Sequence, residues 1–223
     1  SKKVNEQLAQ TENLSFHRTL ISHKQRKPMI WWIDDDANIG VYTKLYPLAR
    51  EYNIPFTSAV ITSRLAPDFD GFMTIEQIKE LNETGLFEFV SHTHWHRSAH
   101  RPIDMSEEEL HEDFTLSQNF LKEHGLNYRG LVLPFGDTSE LIKNVARQYF
   151  DFTVGTGAGG TGTVQIPPID QYDIRRVSVQ YDFERVAAQI DRAAEENGLV
   201  VLVSHVDQYN WWSEEYARQI IEY

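Results

Sequence analysis

The sequence predicts an α/β barrel. Short apolar runs alternate along the chain with stretches of helical period, roughly seven such runs occur, and none carries a glycine-rich dinucleotide fingerprint. Alternation of this kind argues for parallel strands joined by crossover helices, and the missing fingerprint favours a closed barrel over a doubly wound sheet. The predicted strands are 28–34, 55–61, 86–91, 128–133, 152–154, 174–178 and 199–204. Helices are predicted between them at 43–52, 75–83, 106–123, 139–149 and 183–196. Ser106 and Glu109 form a capping box, Asp182 caps the helix that follows it, and Gly85, Gly125 and Gly198 stand where helices should stop. Residues 1–27 are polar and are expected to form an N-terminal helix or arm outside a single domain spanning 28–223. The glycine-rich patch at 155–162 reads as a loop and lacks the Lys-Ser/Thr ending of a phosphate loop.

Composition narrows the partners. A formal net charge of −12, with no basic run beyond Lys24-Gln25-Arg26-Lys27, disfavours nucleic acid and anionic membranes and suits a neutral substrate such as an uncharged sugar polymer. The chain has no cysteine, which excludes disulfides, thiolate ligands and a cysteine nucleophile. No stretch has the length of a transmembrane helix and no signal peptide is visible; the first residue is Ser1, so an upstream segment is expected to have been removed.

The chemistry-bearing residues fall at strand ends, where barrels of this class gather their active sites. Asp34, Asp35 and Asp36 follow the first strand, His92 and His96 the third, Pro134-Phe135-Gly136 the fourth, and His205 the last. His92 and His96, four apart, can face one ion if the chain turns helically after His92. Two imidazoles and a carboxylate leave coordination positions open, as in hydrolytic zinc sites. Asp35 is expected as the third ligand, Asp34 as the general base and His205 as the general acid. His94, His100, His111 and His124 read as structural or exposed, Trp31 and Trp32 as core. Trp211 and Trp212 read either as a sugar-stacking platform at the rim or as helix packing.

These residues resemble the motifs of the polysaccharide deacetylases with the NodB-homology domain, carbohydrate esterase family 4. The family's Thr-Phe-Asp-Asp-Gly is met by Trp32-Ile33-Asp34-Asp35-Asp36. Its His-Ser/Thr-x-x-His is met in full by His92-Thr93-His94-Trp95-His96. Val132-Leu133-Pro134-Phe135-Gly136 keeps the second half of Arg-x-Pro-Tyr-Gly, and Val203-Ser204-His205 loosely matches a final Leu-x-His. The resemblance covers about residues 28–206. It implies a distorted (β/α)7 barrel that removes acetyl groups from N-acetylated, less often O-acetylated, sugars. It implies one divalent ion, Zn2+ first with Co2+ or Ni2+ as alternatives, and places the protein outside the cytoplasm or at the cell surface. Thr93, Pro134, Phe135 and Gly136 are the implied substrate contacts, with the amide beside Phe135 holding the oxyanion.

Two departures bear on the site. Val132 stands where the family has the arginine that orients the base, and Arg129, three residues earlier, lies on a strand that points it elsewhere. Asp36 takes the place of the motif-one glycine, which leaves base and ligand free to shift by one residue along the triplet. The region 151–155 also lacks the family's motif-four tryptophan. Beside a metal-dependent deacetylase of a carbohydrate polymer, two other functions fit: a carbohydrate-binding or adhesion module that has lost turnover, and a small-amide hydrolase on the same fold.

Overall fold

The structure, a computed structural model, describes residues 27–65, 69–156, 164–180, 182–206, 208 and 212–223. The expected N-terminal helix or arm lies outside the described residues but for Lys27, as do Trp211 and most of the glycine-rich patch.

The chain runs β1 (Met29–Asp34), α1 (Tyr46–Tyr52), β2 (Phe56–Val60), α2 (Ile75–Glu83), β3 (Phe87–Ser91), α3 (Glu107–Glu123), β4 (Gly130–Val132), α4 (Glu140–Ala146), β5 (Phe152–Gly155), β6 (Ile174–Arg175), β7 (Val177–Ser178), α5 (Phe183–Glu196), β8 (Leu199–Ser204) and α6 (Glu214–Glu222). All strand pairs are parallel, in the order β6-β5-β4-β3-β2-β1-β8-β7. The two edge strands belong to one chain segment. β6 pairs with β5 and β7 with β8, so residues 174–178 join both edges and all but close the ring. The expected sixth strand is therefore present but broken at Arg176, whose side chain leaves the ladder for the barrel mouth.

Alternation along the strands sorts the core into layers. Trp31 and Ile33 face inward with Ala59, Val90, Val132, Phe152, Val154, Ile174, Leu199 and Val201, a cluster drawn almost entirely from strands and filling the barrel. Trp32, Phe56, Phe87, Phe89 and Leu202 face outward against helical residues such as Leu48, Ile78, Leu81, Leu121 and Val186. Burying a side chain of this size stabilises the fold by about 1.5–3 kcal/mol. The indole N–H groups of these two tryptophans have partners: Trp31 donates to Thr57 Oγ1 at 2.7 Å and Trp32 to Ser204 Oγ at 2.9 Å.

Helix ends follow their caps. Ser106 accepts from Glu109 N while Glu109 reaches back to Ser106 N, and Thr74 and Gln77 make the same reciprocal box on α2. At the end of α5 the left-handed cap is Asn197, with φ of 50°, rather than Gly198. Gly198 answers a different need, because a Cβ there would stand 2.6 Å from Val164 Cγ1. The first predicted helix begins with a π-helical turn, Val41–Leu45, the fourth is shorter than expected, and α6, capped by Ser213, lies beyond the last predicted element. Among the described residues no helix is long and apolar enough to cross a membrane.

Candidate active site

At the C-terminal end of the barrel the three consecutive carboxylates diverge. Asp34, the last residue of β1, turns to the wall: its Oδ2 accepts from Ser204 Oγ at 2.5 Å and from Val206 N at 3.0 Å. Burial, opposed by those two bonds, pushes its carboxyl up to about 8. Asp35 continues the ladder through N–H to Ser204 O at 2.9 Å, and its Oδ2 accepts from Arg176 Nη1 at 2.5 Å. The same oxygen lies 3.5 Å from His92 Nε2 and 3.7 Å from His205 Nε2. Asp36 has φ of 76° and Ala37 φ of 55°. This left-handed turn swings the Asp36 carboxylate to 3.4 Å from Nε2 of both His92 and His96.

The carboxylate that converges with both histidines is thus Asp36, one residue on from the expected Asp35. A carboxylate oxygen of Asp36 and a nitrogen of each histidine lie within 4.8 Å of one another, so this group could hold a metal ion. Its chemistry fits a divalent cation. Asp36 Oδ1 and His92 Nε2 are buried and lack a hydrogen-bond partner, while His92 Nδ1 contacts Val132 O at 2.7 Å. That second contact fixes the ring and leaves Nε2 as the free lone pair, as in metal-ligating histidines. Burial raises Asp36, but the close contact and charge of His92, with the charges of His96 and His205, outweigh it and hold the carboxyl well below the usual range. Burial lowers His92, but Asp35 and Asp36 bring it above the ordinary imidazole value. Burial and the charge of His92 push His96 down to about 4. His205 is also lowered by burial, against the pull of Asp35 and Asp36.

The histidine segment is not a helical turn. Thr93 and His96 take positive φ, 64° and 44°, and the loop is tied down at every step. Asp113 on α3 accepts from the N–H groups of His94 and Trp95, both at 2.9 Å. Thr62 N donates to Thr93 O, and Thr62 Oγ1 meets His94 Nδ1 at 2.9 Å. Burial, opposed by the loop amides, pushes Asp113 up to about 6. His100 pairs with Glu109, His111 with Tyr149, and His124 packs at a tilt against Phe120, so each of these three has a local partner away from the metal-ligating group.

The guanidinium at the barrel mouth comes from Arg176 rather than from position 132. It bonds Asp35 and, through Nη2, the carbonyl of Leu133 at 3.1 Å, with both charged groups buried. Val132 is a packed member of the barrel interior, and Arg129 pairs with Asp151 instead. Phe135 has φ of 59° and 38% exposure; its ring lies 4.7 Å from that of His96, and its N–H donates to no described residue. Thr93 and Pro134 are buried at the same mouth. Trp212 packs against the main core beneath Lys44, which favours helix packing over sugar stacking.

Arg176 and Asp113 were not singled out in the sequence, though both left a trace. Arg176 is a charged residue in a predicted barrel strand, and Asp113 interrupts the apolar stripe of α3 between Leu110, Phe114 and Leu121.

Comparisons with known proteins agree with this fold. The chain is 28% identical over 197 residues to the poly-beta-1,6-N-acetyl-D-glucosamine N-deacetylase of Staphylococcus epidermidis, covering 80% of this chain and 66% of that enzyme's length. The Streptococcus pyogenes deacetylase PplD, solved with acetate, superposes with a TM-score of 0.59 at 18% identity, over 86% of this chain and 70% of that one. The family 4 carbohydrate esterase of Streptomyces lividans, also with acetate, gives 0.58 at 15% identity over 89% and 88%. These likenesses match the fold expected for a (β/α)7 barrel. The family model described as polysaccharide deacetylase matches residues 22–150, more than half of the sequence, and the chain belongs to that family.

Proposed function

We propose that the protein is a metal-dependent deacetylase that hydrolyses N-acetyl groups on a carbohydrate polymer, with poly-β-1,6-N-acetyl-D-glucosamine, the substrate in the name of its staphylococcal relative, as the first polymer to test. One observation carries the reading: an arginine-held carboxylate, Asp35, stands beside the Asp36, His92, His96 group and within 3.7 Å of His205.

In this reading Asp36, His92 and His96 hold the divalent ion, Zn2+ first, and Asp35 is the base, each carboxylate role moved one residue along from the register expected of the motif. A bound ion supplies Lewis acidity to the acetyl carbonyl and to the attacking water. Asp35 takes the proton from that water, held in line by the charge-assisted bond from Arg176. The Phe135 N–H, which has no acceptor among the described residues, donates to the developing oxyanion. His205, across Asp35, delivers the proton that the leaving amine needs, so proton uptake and release occur at neighbouring atoms. Thr93, Pro134 and Gly136 line the approach. The Arg176 guanidinium beside Asp35 also weighs against a module without turnover, by offsetting the vacancy at Val132. Such an enzyme would meet its polymer outside the cytoplasm or at the cell surface.

The test is acetate release from β-1,6-linked N-acetylglucosamine oligomers by protein stripped with a chelator and reloaded with Zn2+. Release that falls on stripping and returns on reloading supports the reading. Oligomer binding without release under any metal would favour the binding module, and release from small amides alone would favour the amide hydrolase.

A further inference from the structure

His92 and His96 are held by different means. His92 is fixed by its contact with Val132 O, whereas Nδ1 of His96 is buried with no hydrogen-bond partner. The His96 ring is oriented by packing instead, with Phe135 at 4.7 Å. Phe135 in turn carries Arg101 on its ring, guanidinium carbon 4.7 Å from the centroid. Arg101 is fixed by Asp137: its Nε donates to Oδ2 at 3.0 Å and its Nη2 to Oδ1. Asp137 is two residues past Phe135, so the forked pair ties the loop after β3 to the loop after β4 across the site. Phe135 needs such restraint, because a non-glycine residue at φ of 59° is not held there by its own preference.

We infer that Arg101 and Asp137 are positioning residues, a clamp that acts through Phe135 on two groups at once: the ring of His96 and the Phe135 N–H. The inference rests on the metal-site reading above. The planar guanidinium suits the task, since it lies over the ring while its nitrogens fork onto the carboxylate. Neither residue touches the reacting atoms. Releasing the clamp frees His96 to rotate and lets the Phe135 backbone relax, so divalent affinity and turnover should fall together.

The experiment compares wild type with Arg101→Ala, Arg101→Lys, Asp137→Asn and the double variant Arg101→Ala/Asp137→Asn. It reads Zn2+ affinity by chelator competition, kcat and KM for acetate release, and thermal unfolding. Arg129→Ala is the control, because it breaks another Arg–Asp pair, with Asp151, elsewhere in the chain. Arg101→Ala and Asp137→Asn should each weaken Zn2+ affinity and lower kcat by about 10-fold, within the range for residues supporting metal ligands, with KM changing less. The double variant should be no worse than the poorer single, and Arg101→Lys should fall between it and wild type. Wild-type affinity and kcat in both single variants, while His92→Ala has lost both, would overturn the clamp alone. An equal loss in Arg129→Ala would overturn it as unspecific. Retained metal and activity in His92→Ala would remove the metal site and the clamp with it.

Discussion

Asp34 and Asp36 lie two residues apart at the end of one strand, both buried, yet their surroundings drive them to opposite charge states. On the wall side, Asp34 meets a hydroxyl, one backbone amide and the charges of its two acidic neighbours, and burial prevails. On the mouth side, Asp36 faces two imidazoles and burial loses. What separates them is the direction in which each Cβ leaves the backbone. Asp34 is the last residue of β1, and the left-handed turn at Asp36 and Ala37 carries the Asp36 carboxylate over the barrel mouth. Ala37 takes φ of 55°, a conformation glycine adopts more readily than a residue with a Cβ. Charge state here follows from which face a side chain reaches.

The largest break in that contrast comes from removing a mouth-side anchor. Asp36→Asn or His92→Ala should abolish tight divalent binding by elemental analysis and lower acetate release by on the order of 10³-fold or more. Next in size is Asp35→Asn. It should keep the metal and lose about 10²–10⁴-fold in kcat, the range for an acid–base group. Metal lost in Asp35→Asn but kept in Asp36→Asn would return the ligand to Asp35.

Much of this was legible because some physics is local. The His92 to His96 spacing, the strand-end position of each polar cluster, and the alternation of Trp31 and Trp32 between layers are all fixed by nearest neighbours in sequence. The register of the Asp triplet was not legible, because it depends on backbone handedness at Asp36 and Ala37, which no side-chain pattern states. Nor was the cation that pairs with Asp35. Arg176 reaches Asp35 across 141 residues of sequence, a contact made only when residues 174–178 bring the sheet edges together. The geometry of the histidine loop depended in the same way on Asp113 from α3.

A smaller effect tests that long-range contact. Arg176→Met should lower kcat by about 10²-fold with metal retained, since the base loses its alignment. The melting temperature should fall as well, because removing one partner of a buried ion pair costs about 3–5 kcal/mol. Val132→Arg, which would restore the family's residue, should not rescue this variant. Val132 is fully buried in the barrel interior, and an arginine there has no space without displacing Phe152 or Val154. A full rescue would show that the pocket accepts the cation from either strand.

The smallest effect on activity belongs to Asp34, and its signature lies in stability. The folded chain keeps the Asp34 proton up to pH about 8, whereas the unfolded carboxyl releases it near 3.8. Between those values the folded state binds the extra proton, so this group's contribution to stability declines as pH rises through the window. Each unit of the shift corresponds to about 1.4 kcal/mol. Asp34→Asn has no proton to release, and its amide oxygen can still accept from Ser204 Oγ and Val206 N. The new amide N–H groups would replace Oδ1, a buried atom without a partner, which adds a pH-independent cost of about 1–3 kcal/mol. The informative quantity is therefore the slope. Melting curves at saturating metal should show the variant gaining on wild type from pH about 5 to about 8, with acetate release at neutral pH within a few-fold of wild type. Parallel slopes would mean that Asp34 is ionised in the fold. A loss of activity as deep as that of Asp35→Asn, with metal retained, would make Asp34 the base and move the mouth of the site one residue back along the chain.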